Sequence, residues 1–455
     1  MKKYILFGVG KYIASFLHII HFFGGEIAYL ADNDIGKVGS SYEEKEIIAP
    51  ICLKEMNFKI LISCVHYEEI KKQLEDFGIL DRVISLYDCL QELMLENKVK
   101  IERNIIDGNK CYLDLYSGAR WGGAENWNFD LAKVLYNKGN DISIIADNEV
   151  EIDTSYSLPI IQIAGSNPLE NIVNHVKDAE FITFINSFFG ESFFSMLVLK
   201  LLYPSQIKIV TVVHNDYRDI YQLCTMFGRF IDLYICVSSK IRDTLIKEYN
   251  TNENKVLFLH QPIKIPNYKK EFKFEKNIRI GIASRLTKKQ KRCDLIPSLI
   301  DLLEDTNINY EIHIAGDGEM LPELQNYIIA HKLESKIFTY GHLKCDQMVS
   351  FWKEQDIYVN LSDFEGTSLA MLEAMSYSCV PVVTDVSGVR DFIIDGVNGY
   401  IHECGNIQGI SDSIVYLYNH RDIIQKYGLL ARKQIEEKCN INHYADKFIV
   451  SIGGV

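Results

Sequence analysis

Three successive α/β units, each organised on a parallel β-sheet, are what this sequence predicts. Short apolar runs of strand length alternate with helix-period segments, and the alternation restarts near Lys110 and again near Ile278. A length of 455 residues exceeds what one core fills and fits about three domains. The predicted boundaries are 1–107 for a small N-terminal module, 108–272 for a second unit, 273–435 for a third, and 436–455 for a terminal helix that packs back on the second.

Each unit follows from its own apolar runs. In the first, residues 4–7, 27–30 and 60–65 read as strands and 82–86 as a fourth, with a helical pattern through Phe22. In the second, strands are expected at 111–116, 142–146, 181–185, 207–213 and 233–237, with a helix over 126–138 that Gly139 stops. In the third, strands are expected at 279–284, 310–315, 337–341, 357–361 and 380–384, and the polar tract 269–277 reads as the linker before them. The longest apolar stretch, 193–203, is interrupted by Lys200 and is too short to span a bilayer.

Composition excludes several classes. A net charge of -13 argues against a nucleic-acid partner that needs broad phosphate neutralisation. Eleven cysteines with no CxxC pair indicate free thiols in a reducing compartment rather than a disulfide framework or zinc ribbon. The N-terminal apolar run meets Gly8 too early for a signal peptide, so a cytoplasmic protein is expected, either free or peripheral at the inner face of a membrane.

Two stretches of the third unit carry chemistry. The strand ending at Ser284 opens into Arg285, Lys288, Lys289, Lys291 and Arg292. Strand ends of open α/β sheets are where ligands bind, and such cations suit a diphosphate, although a solvated loop is the plain alternative. Next, the strand at 357–361 leads into Asp363-Phe364-Glu365-Gly366-Thr367-Ser368-Leu369, and a helix follows whose Glu373 lies about two turns in. Gly366, Thr367 and Ser368 place backbone N–H groups at a helix N-terminus, which favours phosphate. A capped helix with one exposed and one structural glutamate is the alternative.

Together these stretches resemble the family 4 retaining glycosyltransferases. The spacing of Glu365 and Glu373 matches that family's E-x7-E motif, 314–319 resembles its glycine-rich strand end, 375–383 its helix-to-strand step, and 388–393 and 395–399 its later loops, so the resemblance covers about 278–403. It implies a GT-B architecture: two Rossmann-like domains facing a cleft, here with a small N-terminal Rossmann-like module added. It further implies that Arg285 and Lys291 bind the donor diphosphate, with Lys289 a second candidate because the loop is one residue long. Glu365 would contact the donor sugar and Glu373 the ribose. The backbone of Thr367, Ser368 and Leu369 beside Gly366 would contact the diphosphate, and Gly316 and Tyr340 would border the nucleotide. The donor would be a nucleoside-diphosphate sugar, a UDP-sugar first and a GDP-sugar second, with no metal or other cofactor required. The acceptor would be a saccharide, a lipid-linked intermediate or a protein, in surface polysaccharide or glycoconjugate assembly. Configuration would be retained by front-face attack, the departing phosphate assisting proton loss from the acceptor. An epimerase or phosphorylase of the same fold is the alternative reaction.

In the second unit, Gly122-Gly123-Ala124-Glu125 is similar to the family's glycine-rich loop, where missing side chains let a backbone approach phosphate. His214 follows the apolar run 209–213 at a strand end, and the resemblance assigns it to the donor sugar, whereas a structural histidine is the bland reading. Ser238 and Ser239 end the next strand as a polar pair. In the N-terminal module, Gly8-Val9-Gly10 lacks the third glycine of a dinucleotide fingerprint, and Asp32 lies where a ribose could be held. Nucleotide binding, a subunit contact serving a homo-oligomer, or a degenerate scaffold are its readings, the last two combined ahead of the first, and an NAD-type oxidoreductase led by this module is the rival function. His18 and His21 lie three apart on one helix and are expected at the surface.

Overall fold

The computed structural model of this chain describes residues 2–101, 107–115, 122–147, 158–163, 168–176, 179–272 and 277–453. The N-terminal module comprises β1 (Lys3–Phe7), α1 (Ile13–Phe22), β2 (Glu26–Ala31), β3 (Ser41–Tyr42), β4 (Lys45–Ile48), β5 (Lys59–Ile62), α2 (Tyr67–Asp76) and α3 (Leu86–Asn97). The middle unit comprises β6 (Asp107–Leu115), α4 (Gly123–Asn137), β7 (Ile142–Ala146), β8 (Ile160–Gln162), α5 (Pro168–Val176), β9 (Ala179–Asn186), α6 (Glu191–Leu202), β10 (Ile207–Val213), α7 (Arg218–Met226), β11 (Leu233–Cys236), α8 (Ser239–Lys247) and β12 (Val256–Phe258). The third unit comprises β13 (Ile278–Ala283), α9 (Ile296–Glu304), β14 (Tyr310–Ala315), α10 (Leu321–Ala330), β15 (Ile337–Thr339), α11 (Cys345–Glu354), β16 (Ile357–Asn360), α12 (Leu369–Ser376), β17 (Val380–Thr384), β18 (Tyr400–His402), α13 (Ile407–Asn419) and α14 (Arg421–Lys438), and α15 (Ile441–Ser451) ends the chain.

The three sheets repeat one plan. Their strand orders are β3-β4-β2-β1-β5, β12-β11-β10-β9-β6-β7-β8 and β15-β14-β13-β16-β17-β18. In each, the first strand lies between the second and the one where the order reverses: β1 beside β5, β6 beside β9, β13 beside β16. Such a reversal leaves a crevice at the carboxyl ends of the two strands, because the connections leave on opposite faces. Apart from β3, which runs antiparallel to β4, the named pairings are parallel. Parallel strands are covered on both faces, so β17 (VPVVT) is buried at every position.

One expectation for the first module fails, and one element of it went unpredicted. Residues 82–86 form no strand: a 3-10 turn covers Leu80–Arg82, Val83 makes one isolated bridge to Ile60, and α3 begins at Leu86. Ser85 decides this, since its hydroxyl accepts from the Asp88 N–H at 3.1 Å and caps the helix, while Leu86, Leu90 and Leu93 recur at helical spacing on its buried face. The β3–β4 hairpin escaped prediction because its turn carries Glu43 and Glu44 at φ 46° and 62°, where glycine or asparagine would be the usual signal.

The apolar stretch at 193–203 is a core helix. Nine of the twelve residues of α6 are buried, which fits a helix covered all round. One side packs on the middle sheet and another receives α1, through Tyr12 and Phe16 against Phe194, with ring centroids 5.9 Å apart in both pairs. The module and the middle unit therefore share one continuous core. Phe194→Ala is expected to cost about 3–5 kcal/mol, read as a lower midpoint in denaturant unfolding. No helix among the described residues is long and apolar enough to cross a membrane.

The chain passes between the middle and third units twice, side by side. Ile263 donates its N–H to the Cys439 carbonyl at 2.8 Å and bridges Asn440 in parallel. After this crossing, α15 lies on α4, with Tyr444 and Phe448 against Trp127 at ring distances of 6.2 and 5.9 Å.

Candidate active site at the cleft

The cationic loop after β13 sorts by partner. Arg292 is held in ion pairs with Asp294 (3.2 Å) and Asp363 (3.0 Å) and is spent on its own loop. Lys291 reaches into the β13–β16 crevice and pairs with Glu365. Lys289 makes no such contact among the described residues, so Lys291 is the lysine placed at the crevice. Arg285 is exposed, has no ion pair among the described residues, and faces Glu125 across the cleft. Gly316, at φ 138°, closes the back of this loop: a Cβ there would lie 1.9 Å from the Ser284 carbonyl oxygen.

Glu365 is 5% exposed, and besides Lys291 its Oε1 accepts from the Ser362 hydroxyl at 2.9 Å. The cavity behind this pair, lined by Ser284, Lys291, Cys293 and Asn360, holds about 10 Å³, room for a water at most. Beyond Glu365 the chain enters α12, capped by Ser368, whose hydroxyl accepts from the Met371 N–H at 3.4 Å. The N–H groups of Thr367, Ser368, Leu369 and Ala370 have no protein acceptor among the described residues. They form the positive end of the helix.

A second helix end meets this one. Gly122 and Gly123 begin α4, where the Gly122 N–H donates to Glu125 Oε2 at 3.0 Å. A Cβ on Gly123 would lie 3.1 Å from Leu369 Cδ1, so the start of α4 abuts the start of α12. Residues 118–121 of the glycine-rich stretch lie outside the described residues. Two helix N-termini, Arg285 and Lys291 thus converge in one place.

The cleft is closed over this point. The Gly366 α-carbon lies so near His214 that a Cβ would fall 1.8 Å from its carbonyl oxygen. Asp216 donates its N–H to the Glu365 carbonyl (3.2 Å), and Thr367 Oγ1 donates to the Val237 carbonyl (2.9 Å). Tyr217 stacks on Phe364 with centroids 5.3 Å apart. Ser238 meets Ser387 at 2.6 Å, and both the N–H and the hydroxyl of Ser239 bond Asp391. The serine pair is a clasp between units, a role its position in the sequence did not reveal.

His214 has its ring edge against Trp127 at 5.0 Å, and its Nε2 finds no partner among the described residues. Burial pushes its pKa down to about 3, so the imidazole is neutral at any working pH. Trp127, fixed by α15, was missed by sequence reasoning, since nothing in its spacing marks it. Two buried aspartates of the middle unit were missed as well. Asp114 accepts from the Ser187 and Phe188 N–H groups at 2.8 and 3.3 Å, and burial raises its pKa well above the carboxylate range. Asp147 accepts from Ser192 N–H at 3.0 Å and is pushed up to about 6 by burial. Both are committed to backbone donors.

Glu373 lies half-buried, accepting from Trp352 Nε1 at 3.4 Å, and faces Asp130 of α4. Burial pushes its carboxyl up to about 7, with the Asp130 charge acting in the same direction. The folded protein therefore keeps this proton between about 4.5 and about 7, where the unfolded chain has lost it. Its contribution to stability is complete below that range and falls as pH rises through it. Glu373→Gln, neutral throughout, is expected to raise the melting temperature of the ligand-free protein more at pH 8 than at pH 5; an equal change at both would contradict the raised pKa. Tyr340 is 45% exposed after β15 and is held by a 2.7 Å bond to His313 Nδ1, its ring nearly parallel to that histidine.

Residues 264–434 match the family glycosyl transferases group 1. Over that stretch the chain is similar to a group 1 glycosyl transferase domain, and its fold is GT-B. This domain contains the cationic loop, Glu365, Glu373 and the whole of α12. Residues 1–85 match a different description, C2185-like, N-terminal. The poly(ribitol-phosphate) alpha-N-acetylglucosaminyltransferase of Staphylococcus aureus (strain COL) is 31% identical over 188 residues, 41% of this chain and 37% of the relative. A second relative, an uncharacterised glycosyltransferase of Methanocaldococcus jannaschii, aligns over 57% of its length, so the chain spans about half the length of such relatives or less. Among solved structures, Anabaena HepE in complex with UDP and glucose is similar, with a TM-score of 0.63 at 16% identity over 76% of this chain and 100% of HepE. A Staphylococcus aureus TarM variant solved with fondaparinux, alpha-GlcNAc-glycerol and UDP covers 100% of both chains with a TM-score of 0.55 at 17% identity.

Proposed function

We propose that this chain is a retaining glycosyltransferase that moves a sugar from a nucleoside-diphosphate sugar to a saccharide, lipid-linked or protein acceptor in polysaccharide or glycoconjugate assembly. The reading rests on one observation: two helix N-termini, Arg285 and Lys291 converge beside two carboxylates. Positive helix ends and fixed cations favour a diphosphate, and most of all the charge that builds on it as the sugar bond breaks. Arg285 meets the phosphate that becomes the leaving group, and the free N–H groups of Thr367 to Ala370 share the load. Lys291 is drawn toward phosphate and leaves Glu365 as an acceptor for sugar hydroxyls. Glu373 holds the ribose, and Tyr340 borders the base. His214, neutral and with one open nitrogen, exchanges a hydrogen bond with a sugar hydroxyl.

The small space behind the Lys291–Glu365 pair means that a donor enters on the open side, where Arg285 and Tyr340 are exposed, as the units part. Reclosure excludes water and limits donor hydrolysis. A uridine donor is favoured by HepE, solved with UDP and glucose, and the S. aureus relative is named for transfer to a polyol phosphate polymer. No resident metal or cofactor enters the scheme, and docking at a membrane surface would bring a lipid-linked acceptor to the cleft.

The test is release of UDP from a panel of UDP-sugars, and of GDP from GDP-sugars, with and without a polyol-phosphate or glycan acceptor. Acceptor-dependent release with the α-linkage kept in the product is expected. Acceptor-independent turnover, or an epimerised donor, would replace the reading with an epimerase or phosphorylase.

A further inference from the structure

Tyr340 stands at the end of an aromatic row that starts beside Glu373. Trp352, which donates to Glu373, meets Phe351 with ring centroids 4.8 Å apart, and Phe351 meets Tyr340 at 5.8 Å. Behind Tyr340 lies a relay of polar groups that the transfer scheme does not use. The Tyr340 hydroxyl meets His313 Nδ1 at 2.7 Å, and His313 Nε2 meets Glu311 Oε2 at 3.2 Å. Glu311 Oε1 accepts in turn from Asn277 Nδ2 at 2.9 Å, and Arg279 Nε stands 3.8 Å from Oε2. His313 is buried, and its ring lies nearly parallel to those of Phe338 and Tyr340, with centroids 5.0 and 5.9 Å away.

The chemistry of these partners places the protons. Burial lowers the His313 pKa, the Arg279 charge acts in the same direction, and the imidazole stays neutral. Burial opposes ionisation of Glu311, but bonds from Asn277 and His313 and the Arg279 charge outweigh it and hold the carboxyl below its ordinary range. A carboxylate only accepts, so the imidazole hydrogen sits on Nε2 and Nδ1 is left as an acceptor. Tyr340 spends its one hydrogen on Nδ1, and its oxygen keeps lone pairs alone.

An untethered phenol turns its hydrogen to suit either kind of partner, and the bond to Nδ1 removes that choice. Uracil and guanine carry a hydrogen on the ring nitrogen of their pairing edge, whereas cytosine and adenine carry a lone pair there. We infer that His313 is a positioning residue that fixes the Tyr340 hydroxyl as an acceptor, and that Tyr340 thereby selects a donor bearing uracil or guanine over one bearing cytosine or adenine, a role that rests on the cleft being the nucleotide-sugar site proposed above. Lone pair against lone pair is what turns the wrong base away.

Titration calorimetry on the full chain with UDP, GDP, CDP and ADP tests this. The parent is expected to bind UDP or GDP about tenfold or more tightly than either CDP or ADP. In His313→Phe, which keeps a ring but frees the phenol, that preference is expected to fall to about threefold or less. Tyr340→Phe, at an exposed position, is expected to lose it likewise and covers the case in which His313→Phe fails to fold. His313→Asn, whose Oδ1 stands where Nδ1 does, is expected to keep it. In transfer assays His313→Phe should raise donor KM and hold kcat within about twofold, since the base is remote from the bond that breaks. A parent that prefers CDP or ADP, a preference that survives both phenylalanine variants, or one lost equally in His313→Asn would overturn the inference while leaving acceptor-dependent transfer by the parent untouched. Failure to bind any of the four diphosphates would remove the nucleotide-sugar reading and this role of His313 together.

Discussion

Arg285→Ala is expected to lower transfer by about 10²–10³-fold, the usual loss when one fixed group facing developing charge is removed. Its melting temperature should stay within about 2 °C of the parent, since the side chain is exposed and has no ion pair to lose among the described residues. The fall should appear in kcat as well as in donor KM, because charge on the leaving phosphate grows as the bond to the sugar breaks. Glu365 demands a gentler change. Its carboxylate is buried against Lys291, so Glu365→Ala would leave an uncompensated buried cation, a loss of about 3–5 kcal/mol that confounds any assay. Glu365→Gln keeps the shape and the bond from Ser362, and a comparable loss of turnover in a folded protein is the expected outcome. Near-parental rates in both Arg285→Ala and Glu365→Gln would remove the site assignment.

Gly366→Ala should have an effect of similar size by another route. The new methyl would lie 1.8 Å from the His214 carbonyl oxygen and 3.1 Å from the Asn215 nitrogen, and backbone atoms cannot step aside as side-chain tips do. The obstruction falls between two units, so the relief available is to hold the cleft ajar rather than to unfold either unit. A hundredfold or greater loss of transfer, about 2.7 kcal/mol in barrier, is therefore expected with little change in melting temperature. Small-angle scattering should show a larger radius of gyration than the parent. A compact, fully active Gly366→Ala would show that closure is not part of the cycle.

The third unit was the most legible part of the chain, for a physical reason. Its strands are covered on both faces and so read as unbroken apolar runs, and β14 and β17 fall where the sequence places them, to the residue. The N-terminal module was harder. Its hairpin turns on two glutamates at positive φ, and Ser85 converts an apolar segment into the start of a helix. Within the site, residue type and order were readable while partnership was not. Arg285 and Arg292 look alike in the sequence, yet the first has no ion pair among the described residues and the second is locked to Asp294 and Asp363. Contacts such as Ser239 with Asp391 join positions 152 apart, and no spacing rule reaches that far. The N-terminal glycines show the converse: they resemble a fingerprint, yet Asp32 takes the Val9 N–H and the Gly8 carbonyl takes that of Gly10.

The paired crossings at Ile263 and Cys439 govern how the two halves can travel. A single tether would let one half slide or twist freely, whereas two bonded strands resist translation and leave one easy rotation, like a door on a short leaf. Points beside this axis hardly shift, and points at the opposite rim sweep the longest arc. Trp127 is backed by the helix that follows the second crossing, so the wall behind His214 is anchored next to the axis. Amide exchange should accordingly be slow along 263–264 and 439–440 and quicker at 214–217, and shortening the chain before Ile441 would loosen the pivot and the wall together.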